Sequence, residues 1–323
     1  MSRIYVGIDT SNYTTSVCAV DAQGKMLFEA RRILHVPQGE RGLQQSQALY
    51  QHIVALPSLL DDLAKATGRK AIERVAVSSR PRKLQGSFMP VFQAGILAGH
   101  ALAATSQAHV VETTHQAGHI AAGVATSYMP EEGTGSFAVL HLSGGTTDLL
   151  IARKDQIDFG VKDVQSGQDL HVGQMVDRIG VYLGLSFPAG KHLERLAMQV
   201  QPDVAVLPIP SSVKDGIPSF SGPLSAAIRL VQKGVEPSLV AASVFRCIAN
   251  TVEKMIRHMY QQTGIDRVLL VGGVASSTLL KERLDARFTG SNIRLYFCDP
   301  AFSSDNAYGI ALIAKNEWGW AKL

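Results

Sequence analysis

The sequence feature that most limits the fold is a β-hairpin with a polar turn that occurs twice along the chain. The first copy covers Ile4–Val20 around the turn Asp9–Tyr13, and the second covers Phe137–Ala152 around the turn Ser143–Asp148. Apolar β-rich runs on both sides of such a turn are typical of hairpins, and each turn presents hydroxyls and backbone N–H groups at one point. Two similar units, each followed by helical sequence, predict a duplicated two-lobe α/β architecture with a ligand in the cleft between the lobes.

Local patterns fill the chain between and after these hairpins. The spacing of apolar residues predicts a helix over Ser46–Thr67 that ends at Gly68, a buried strand over Val75–Ser78 and a second helix over Phe92–Ala104. The expected segments are a first lobe of residues 1–110, a second lobe of residues 111–304, and a C-terminal helix over 305–323 that packs back on the first lobe.

Composition excludes several classes of protein. Of 323 residues, 18% are charged and 46% hydrophobic, which is typical of a compact globular enzyme. The formal charge of +4 is too small to imply nucleic acid by itself, and three cysteines far apart in sequence predict neither a disulfide framework nor a cysteine zinc site. The most apolar segment, Met89–Ala104, contains polar residues, so we expect no membrane span and a cytoplasmic location.

The second hairpin turn is the best candidate for a phosphate cradle. In Ser143-Gly144-Gly145-Thr146, two glycines let the backbone approach an anion and hydroxyls stand within reach. The run lacks the lysine of a P-loop, so it is not a Walker motif. A hairpin turn with solvated hydroxyls remains the alternative, although the equivalent turn at Asp9 favours phosphate.

A third glycine-rich turn follows the apolar run Arg267–Val271. Gly272 and Gly273 lead through Ser277 into a predicted helix over Thr278–Phe288, a strand-turn-helix pattern that suits a nucleotide. The alternative is a tight turn without a ligand. We expect this turn to face the Ser143 turn across the cleft, with the turn at Asp9 below both.

Two histidines four residues apart, His115 and His119, indicate a possible metal site. On a helix both imidazoles project from one face, one turn apart, as a divalent ion requires. An ordinary helix surface is the alternative. Asp305, before an apolar helix near the end of the sequence, is a candidate third ligand, and its alternative role is to cap that helix.

Two further segments carry weaker signals. Ser219–Pro223 suits a loop that lines a site, or simply the start of a helix. Arg80, Arg82 and Lys83 form a basic loop directly after a strand, which could bind a polyanion or remain solvated.

Taken together and in order, these segments resemble the universal transferase family that makes threonylcarbamoyladenosine in tRNA, formerly described as O-sialoglycoprotein endopeptidases. The resemblance covers the chain from about Ile4 to Ala314. The motifs that carry it are Gly7–Ser11, His115–His119, Leu142–Gly145, Leu183–Gly190, Ser219–Gly222, Val271–Val274 and Asp305–Ala307.

The resemblance implies an actin-like fold, shared with sugar kinases and heat-shock ATPases (ribonuclease H-like), and transfer of threonylcarbamoyl from its adenylate to N6 of adenosine 37 in tRNAs that read codons starting with A. It implies one divalent metal ion, iron or zinc, ATP or an adenylate as the nucleotide, tRNA as acceptor and accessory protein subunits of a tRNA-modification complex. The implied residues are Asp9, Ser11 and Thr14 for catalysis; Ser143, Gly144, Gly145, Thr146, Asp169, Gly173, Gly190, Gly272, Gly273 and Ser277 for the nucleotide; and His115, His119 and Asp305 for the metal.

The sequence departs from the family pattern mainly in groups that exchange protons. The family's first turn reads E-T-S-C-D-E-T, and Tyr13 and Thr14 replace its two later acidic residues. The family's H-x-E-G-H has Ala117 in place of Glu, its S-G-G-H-T has Thr146 in place of His, and its glycine-rich G-P-G segment is absent. The departures spare the metal triad and most of the nucleotide cradle.

Three functions compete on this sequence. The first is a threonylcarbamoyl transferase, or a close paralogue that uses another carbamoyl acceptor. The second is a nucleotide-binding paralogue with a regulatory role, against which the complete metal triad argues. The third, a metalloprotease, lacks the Glu beside the histidine pair that activates water, because Gln116 and Ala117 occupy those positions.

Overall fold

The computed structural model describes residues 3–11, 13–37, 43–83, 86–130, 135–154, 159–201 and 204–316, with the backbone alone for 163–165. The chain divides into two compact units. Unit 1 comprises Met1–Thr126, Lys154–Gly160 and Ala301–Leu323, and unit 2 comprises Ser127–Arg153 and Val161–Pro300. Within the described ranges, no helix is both long enough and apolar enough to cross a membrane.

Unit 1 is built on a five-stranded sheet in the order β3-β2-β1-β4-β5. Its apolar core lies between the sheet and helices α1 and α2, where Ile8, Leu59 and Val77 are buried. The elements of this part are β1 (Ile4–Ser11), β2 (Thr14–Val20), β3 (Met26–Ile33), α1 (Gln45–Ala66), β4 (Ile72–Arg80), α2 (Phe92–Ser106), β5 (His109–Thr114), α3 (His115–Thr126), and, after unit 2, α10 (Tyr308–Lys315).

The second five-stranded sheet has the order β12-β11-β6-β7-β8, and a short hairpin, β9 and β10, stands apart from it. The long helix α7 supplies much of the core of unit 2, including Val244, Ile248 and Met255. The elements are β6 (Phe137–Leu142), β7 (Thr147–Lys154), β8 (Phe159–Ser166), α4 (Val172–Tyr182), α5 (Gly190–Ala197), β9 (Ser212–Lys214), β10 (Ile217–Ser219), α6 (Ser221–Gln232), α7 (Pro237–Thr263), β11 (Arg267–Val271), α8 (Thr278–Phe288) and β12 (Arg294–Phe297). The short helix α9 (Pro300–Ser303) follows and belongs, except for Pro300, to unit 1.

The duplication predicted from the two hairpins appears in the strand order. In each sheet the first strand, β1 or β6, pairs antiparallel with the strand that follows it. On its other side that strand pairs parallel with a later strand, which in turn pairs parallel with the outermost one. The two sheets therefore repeat one topology, and in each of them parallel strands bring their carboxyl ends to one edge, where loops gather.

The described part of the C-terminal segment contains the helix α10, which packs against β1. Gly7 makes this possible, because a Cβ atom there would lie 2.3 Å from the backbone N of Ala311. Residues 317–323 of the expected helix lie outside the described ranges. The expected lobe boundary at residue 110 differs from the division of the structure, since α3 packs against α10 and therefore belongs to unit 1.

Candidate functional site

Polar side chains meet where three parallel strands of unit 1 end. Asp9 lies near the end of β1, Ser78 near the end of β4, and His115 directly follows β5 as the first residue of α3. Asp9 is completely buried; it accepts a hydrogen bond from the hydroxyl of Ser78 and another, of 2.8 Å, from the hydroxyl of Ser11. The Nδ1 atom of His115 lies 3.1 Å from Oδ1 of Asp9. The ends of these strands thus place the carboxylate of Asp9 next to the imidazole of His115.

His115, His119 and Asp305 form a compact cluster in front of that carboxylate. The Nε2 atoms of the two histidines are 3.1 Å apart, and each lies 3.5 Å from Oδ1 of Asp305. Residues 115–126 are helical, so the four-residue spacing places both imidazoles on one face, as the sequence predicts. The structure therefore brings the three residues of the predicted metal triad together.

Two glycines allow the distant Asp305 to reach the histidines. Helix α10 crosses α3 where neither has a side chain, since a Cβ atom at Gly309 would lie 1.9 Å from the carbonyl oxygen of Gly118. Asn306 then shapes the loop before α10: its Nδ2 donates to the carbonyls of Phe302 and Ser304, each at 2.8 Å. Its Oδ1 accepts from the N–H of Tyr308 at 3.0 Å. Asn306, and not Asp305, thus accepts from the first N–H of α10, whose N-cap is Ala307, and the aspartate faces the imidazoles.

The charges of the cluster stabilise one another. Burial lowers the pKa of His115, but the carboxylates of Asp9 and Asp305 outweigh burial and hold that pKa well above its usual value. Burial likewise raises the pKa of Asp9 and of Asp305, and the neighbouring histidines reverse the shift, so both carboxyl groups titrate below their usual range. A cation bound here must therefore displace a proton from His115.

The donor set fits a divalent transition-metal ion. Imidazole nitrogens and carboxylate oxygens bind zinc at about 2.0–2.2 Å, and at angles of about 90–110° such ligand atoms stand about 3.0–3.5 Å apart. The observed separations are 3.1, 3.5 and 3.5 Å. In such sites a carboxylate usually accepts a hydrogen bond from the ring nitrogen of the histidine that does not bind the metal. Asp9 lies in this position relative to Nδ1 of His115.

The three residues predicted to act in catalysis lie together in the β1–β2 hairpin. Ser11 and Thr14 are paired in the register of the two strands, and both are buried. Asp9 has no exposed surface and already accepts three hydrogen bonds, so it can orient His115 but cannot touch a substrate. Ser78, which sequence reasoning missed as a site residue, is the last residue of the predicted buried strand, where its polar side chain at the strand end was the one available signal.

In unit 2, a backbone hydrogen bond closes the Ser143 turn, and the glycines of that turn are exposed to solvent. The N–H of Ser143 donates to the carbonyl of Thr146 at 2.9 Å, and Gly144 and Gly145 are exposed, with no atom near the position of a Cβ. Gly173, at the start of α4, lies against this turn, since a Cβ atom there would be 2.6 Å from both the N of Gly144 and the carbonyl oxygen of Ser143. A helix N-terminus therefore abuts the predicted phosphate cradle.

The Gly272 turn is a direct neighbour of the Ser143 turn. Strands β6 and β11 are adjacent and parallel, and the N–H of Val274 donates to the carbonyl of Leu142 at 3.0 Å. Gly272 has φ +99°, and a Cβ atom there would lie 2.4 Å from that same carbonyl, so only glycine fits. The expectation that the two turns face one another across a cleft is wrong, because both belong to one edge of one sheet.

Asp169 organises a loop that the sequence analysis singled out separately. Its carboxylate accepts hydrogen bonds from the hydroxyls of Ser219 and Ser221, at 2.5 and 2.6 Å, and from the backbone N–H groups of Leu170, Phe220 and Ser221. Burial opposes ionisation, but these donors together hold the pKa of Asp169 below its usual value. Asp169, implied by the resemblance as a nucleotide-binding residue, is thus already committed to shaping the loop before α6.

The remaining predicted nucleotide residues have structural contacts that the sequence did not reveal. Ser277 caps α8 by accepting from the N–H of Leu280 at 3.1 Å, and its hydroxyl donates to Glu194 at 2.7 Å. Glu194, a residue that sequence reasoning missed, also accepts from the N–H of Leu279 at 3.0 Å. It lies on α5, which begins at Gly190, so the two glycine-containing segments are joined through this carboxylate.

The basic loop at Arg80 lies beside the histidine helix. Arg80 ends β4 and is exposed, and the carbonyl of Pro81 accepts a 3.1 Å hydrogen bond from the N–H of Gln116 in the first turn of α3. Positive charge therefore stands next to the His115 cluster, within the same unit.

Solved structures with a similar fold define the class. The structure titled full-length HypF in the phosphate- and nucleotide-bound form matches with a TM-score of 0.60 and 14% identity, over 97% of this chain and 55% of that one. A ROK family glucokinase from Streptomyces griseus matches with a TM-score of 0.51 and 13% identity, over 97% of this chain and 99% of that one. The chain thus has the two-lobe α/β fold of the actin-like and sugar-kinase class, which confirms the predicted fold.

Sequence comparison narrows the class to a family. Residues 27–312 match the family described as tRNA N6-adenosine threonylcarbamoyltransferase. A protein of that description from Thermus thermophilus is 31% identical over 316 residues, 96% of this chain and 91% of the relative. One from Methanopyrus kandleri is 27% identical over 311 residues, 95% of this chain and 86% of the relative. The chain belongs to the tRNA N6-adenosine threonylcarbamoyltransferase family, as its motifs indicate.

Proposed function

We propose that this protein transfers a threonylcarbamoyl group from its adenylate to N6 of adenosine 37 of tRNA in the cytoplasm. In that step the N6 nitrogen forms a bond to the carbamoyl carbon, the bond from that carbon to the phosphate oxygen breaks, AMP leaves with the electron pair, and N6 loses a proton. Family membership supports the reaction class. The observation that carries the proposal is the His115, His119 and Asp305 cluster with Asp9 behind it.

His115, His119 and Asp305 would hold one divalent ion, iron or zinc. When bound, such an ion supplies Lewis acidity toward a carbonyl oxygen. Asp9 is ionised and can only accept, so Nδ1 of His115 donates to it, and a neutral His115 then directs its Nε2 lone pair at the other two ligands. The hydroxyls of Ser11 and Ser78 hold Asp9 in place, which makes it a positioning residue for the site.

The glycine turns of unit 2 would bind the adenylate. The exposed N–H groups of Gly144 and Gly145, next to the N-terminus of α4, suit a phosphate. The open space at Gly273 suits a ribose or base, and the Asp169 loop and Glu194 hold the surrounding segments rigid. In this arrangement the backbone, rather than a charged side chain, stabilises the leaving phosphate.

A second candidate is transfer to a different acceptor, and the first hairpin favours it. Asp9 is fully buried, and the described turn residues Ser11, Tyr13 and Thr14 carry no carboxylate that could take a proton from N6. Losing a positioned base typically lowers a rate by about 10²- to 10⁴-fold. An experiment that distinguishes the two candidates therefore has to measure the modified nucleoside in tRNA.

The test is complementation of a strain depleted of its own threonylcarbamoyl transferase, with threonylcarbamoyladenosine measured in tRNA hydrolysates. We expect the wild type and His100→Ala to restore the nucleoside and His115→Ala to fail, since His100 is an exposed histidine of the same unit. Metal analysis of the three purified proteins should show one divalent ion except in His115→Ala. A stable wild-type protein that restores no nucleoside, even with the host's partner subunits, contradicts the tRNA assignment and favours the second candidate.

A further inference from the structure

Unit 2 contains a group of arginines that repel one another. Four guanidinium groups, Arg246 and Arg257 on α7 and Arg283 and Arg287 on α8, are named here the arginine stripe. Arg283 and Arg287 are four residues apart on α8, so they share one face of that helix. In the described part of the chain, the only carboxylate that forms a salt bridge with any of the four is Glu253.

Three of the four arginines are fixed by the protein. Glu253 accepts from Arg257 at 2.9 Å and from Arg287 at 2.8 Å, and Arg257 also donates to the carbonyl of Arg287 at 3.1 Å. Arg246 donates to the carbonyl of Val206 at 3.1 Å. These contacts use one carboxylate and two backbone carbonyls, so most of the positive charge is left without a counter-charge.

Arg283 is the exception, because one of its donors is buried without a partner in the described structure. Its Nε atom is buried and has no hydrogen-bond partner among the described residues. Burial and the positive charges of Arg287 and Arg246 lower the pKa of Arg283, which reflects an unfavourable surrounding for a cation. A buried donor without a partner and repulsion between like charges both destabilise the fold, and an oxyanion bound by the stripe relieves the repulsion.

We propose that the arginine stripe binds the sugar–phosphate backbone of the acceptor RNA. This inference rests on the proposed function and names a surface of the chain that holds the tRNA. A guanidinium presents paired N–H groups that match phosphate oxygens, and a group of arginines with few counter-charges suits the phosphates of a nucleic-acid backbone. Asp285 and Glu282 also lie on α8, but neither forms a salt bridge with the stripe in the described structure, so the stripe remains positively charged.

The test is Arg283→Met, compared with Arg229→Met, an arginine on the exposed surface of α6 in the same unit. The probe is a transcribed tRNA with adenosine at position 37, bound in fluorescence anisotropy titrations between 50 and 200 mM KCl. We expect Arg283→Met to weaken tRNA binding about 3- to 10-fold at 100 mM salt and to reduce the salt slope by about one, while Arg229→Met changes neither. The thermal unfolding midpoint of Arg283→Met should be equal to or above that of the wild type, because the substitution removes a repelled charge.

The outcomes separate this inference from the proposed function. A wild type with salt-dependent tRNA affinity that Arg283→Met leaves unchanged overturns the stripe as an RNA surface and leaves the function intact. The inference is also overturned if the wild type restores the modified nucleoside while Arg283→Met keeps its RNA affinity and loses a protein subunit from its complex. In that case the stripe binds an acidic protein. A lower unfolding midpoint with unchanged RNA affinity marks Arg283 as structural. A wild type without tRNA affinity and without complementation contradicts both proposals.

Discussion

A buried histidine in unit 1 makes the stability of the protein depend on pH. His52, on α1, has no exposed surface; its Nδ1 lies 2.8 Å from the hydroxyl of Thr15, and its Nε2 has no hydrogen-bond partner among the described residues. Burial lowers the pKa of His52 from 6.5 to about 4, although the charge of Asp9 opposes the shift. The folded protein therefore keeps this imidazole neutral under conditions in which the unfolded chain protonates it.

The sign and size of the effect follow from this difference. The contribution of His52 to stability is fully present above about pH 6.5 and is lost as pH falls toward about 4, because only the unfolded state binds the proton in that window. The whole difference corresponds to about 3 kcal/mol, and the part lost between pH 7 and pH 5 is about 2 kcal/mol. This loss should speed acid unfolding of unit 1.

The assay is urea unfolding at pH 7, 6 and 5 with a chelator present, for the wild type and for the double variant Thr15→Val/His52→Leu. Removing both partners leaves no orphaned hydroxyl, so the double variant is the matched reference. Other groups titrate in both proteins, and the difference between the two pH profiles isolates His52. We expect the wild type to lose about 2 kcal/mol more than the double variant between pH 7 and pH 5. Parallel profiles would show that His52 has the same pKa in the folded and the unfolded states and refute the reasoning.

Three further predictions concern the site. Gly145→Val should abolish ATP binding in calorimetry and leave the unfolding midpoint nearly unchanged, because the space around Gly145 is open; an equal loss of stability would assign this glycine a structural role. Gly173→Ala should weaken ATP binding by about tenfold or more by displacing the turn against which it packs, whereas Gly222→Ala, with open space at its Cβ, should not; equal affinities would contradict the contact. Asp9→Asn should lower metal affinity by about 10- to 100-fold while retaining the shape of the side chain, and unchanged affinity in a metal titration would remove Asp9 from the site.

The sequence predicted best those features that depend on neighbouring residues. Strand β11 and helix α8 have the predicted bounds, Arg267–Val271 and Thr278–Phe288, because an apolar run, a pair of glycines and a helical periodicity follow one another without interruption. The helix that carries the histidines was not itself predicted and entered only as a condition of the metal prediction. The spacing of His115 and His119 is a local property, and it matters only if that segment is helical, as it is.

Contacts between distant residues could not be predicted from local patterns. Asp305 reaches the histidines because Gly309 and Gly118 let two helices cross closely, and neither glycine stands in a turn that would mark it. The error in placing the glycine turns has the same origin. A strand-turn-helix pattern shows that a turn can approach a ligand, but the pairing of β6 with β11, which sets the turns side by side, depends on packing across the whole unit.

The structure also explains why the departures from the family pattern are compatible with an intact site. Asp9, Asp169 and Glu194 each accept several hydrogen bonds and hold a histidine, a loop and a helix start, so these carboxylates act on geometry and not on the substrate. The acidic residues that Tyr13 and Thr14 replace stand outside this set of contacts. Loss of the acids at these two positions therefore leaves binding and positioning in place, and it should lower the rate of the transfer step more than the affinity for the nucleotide or the metal.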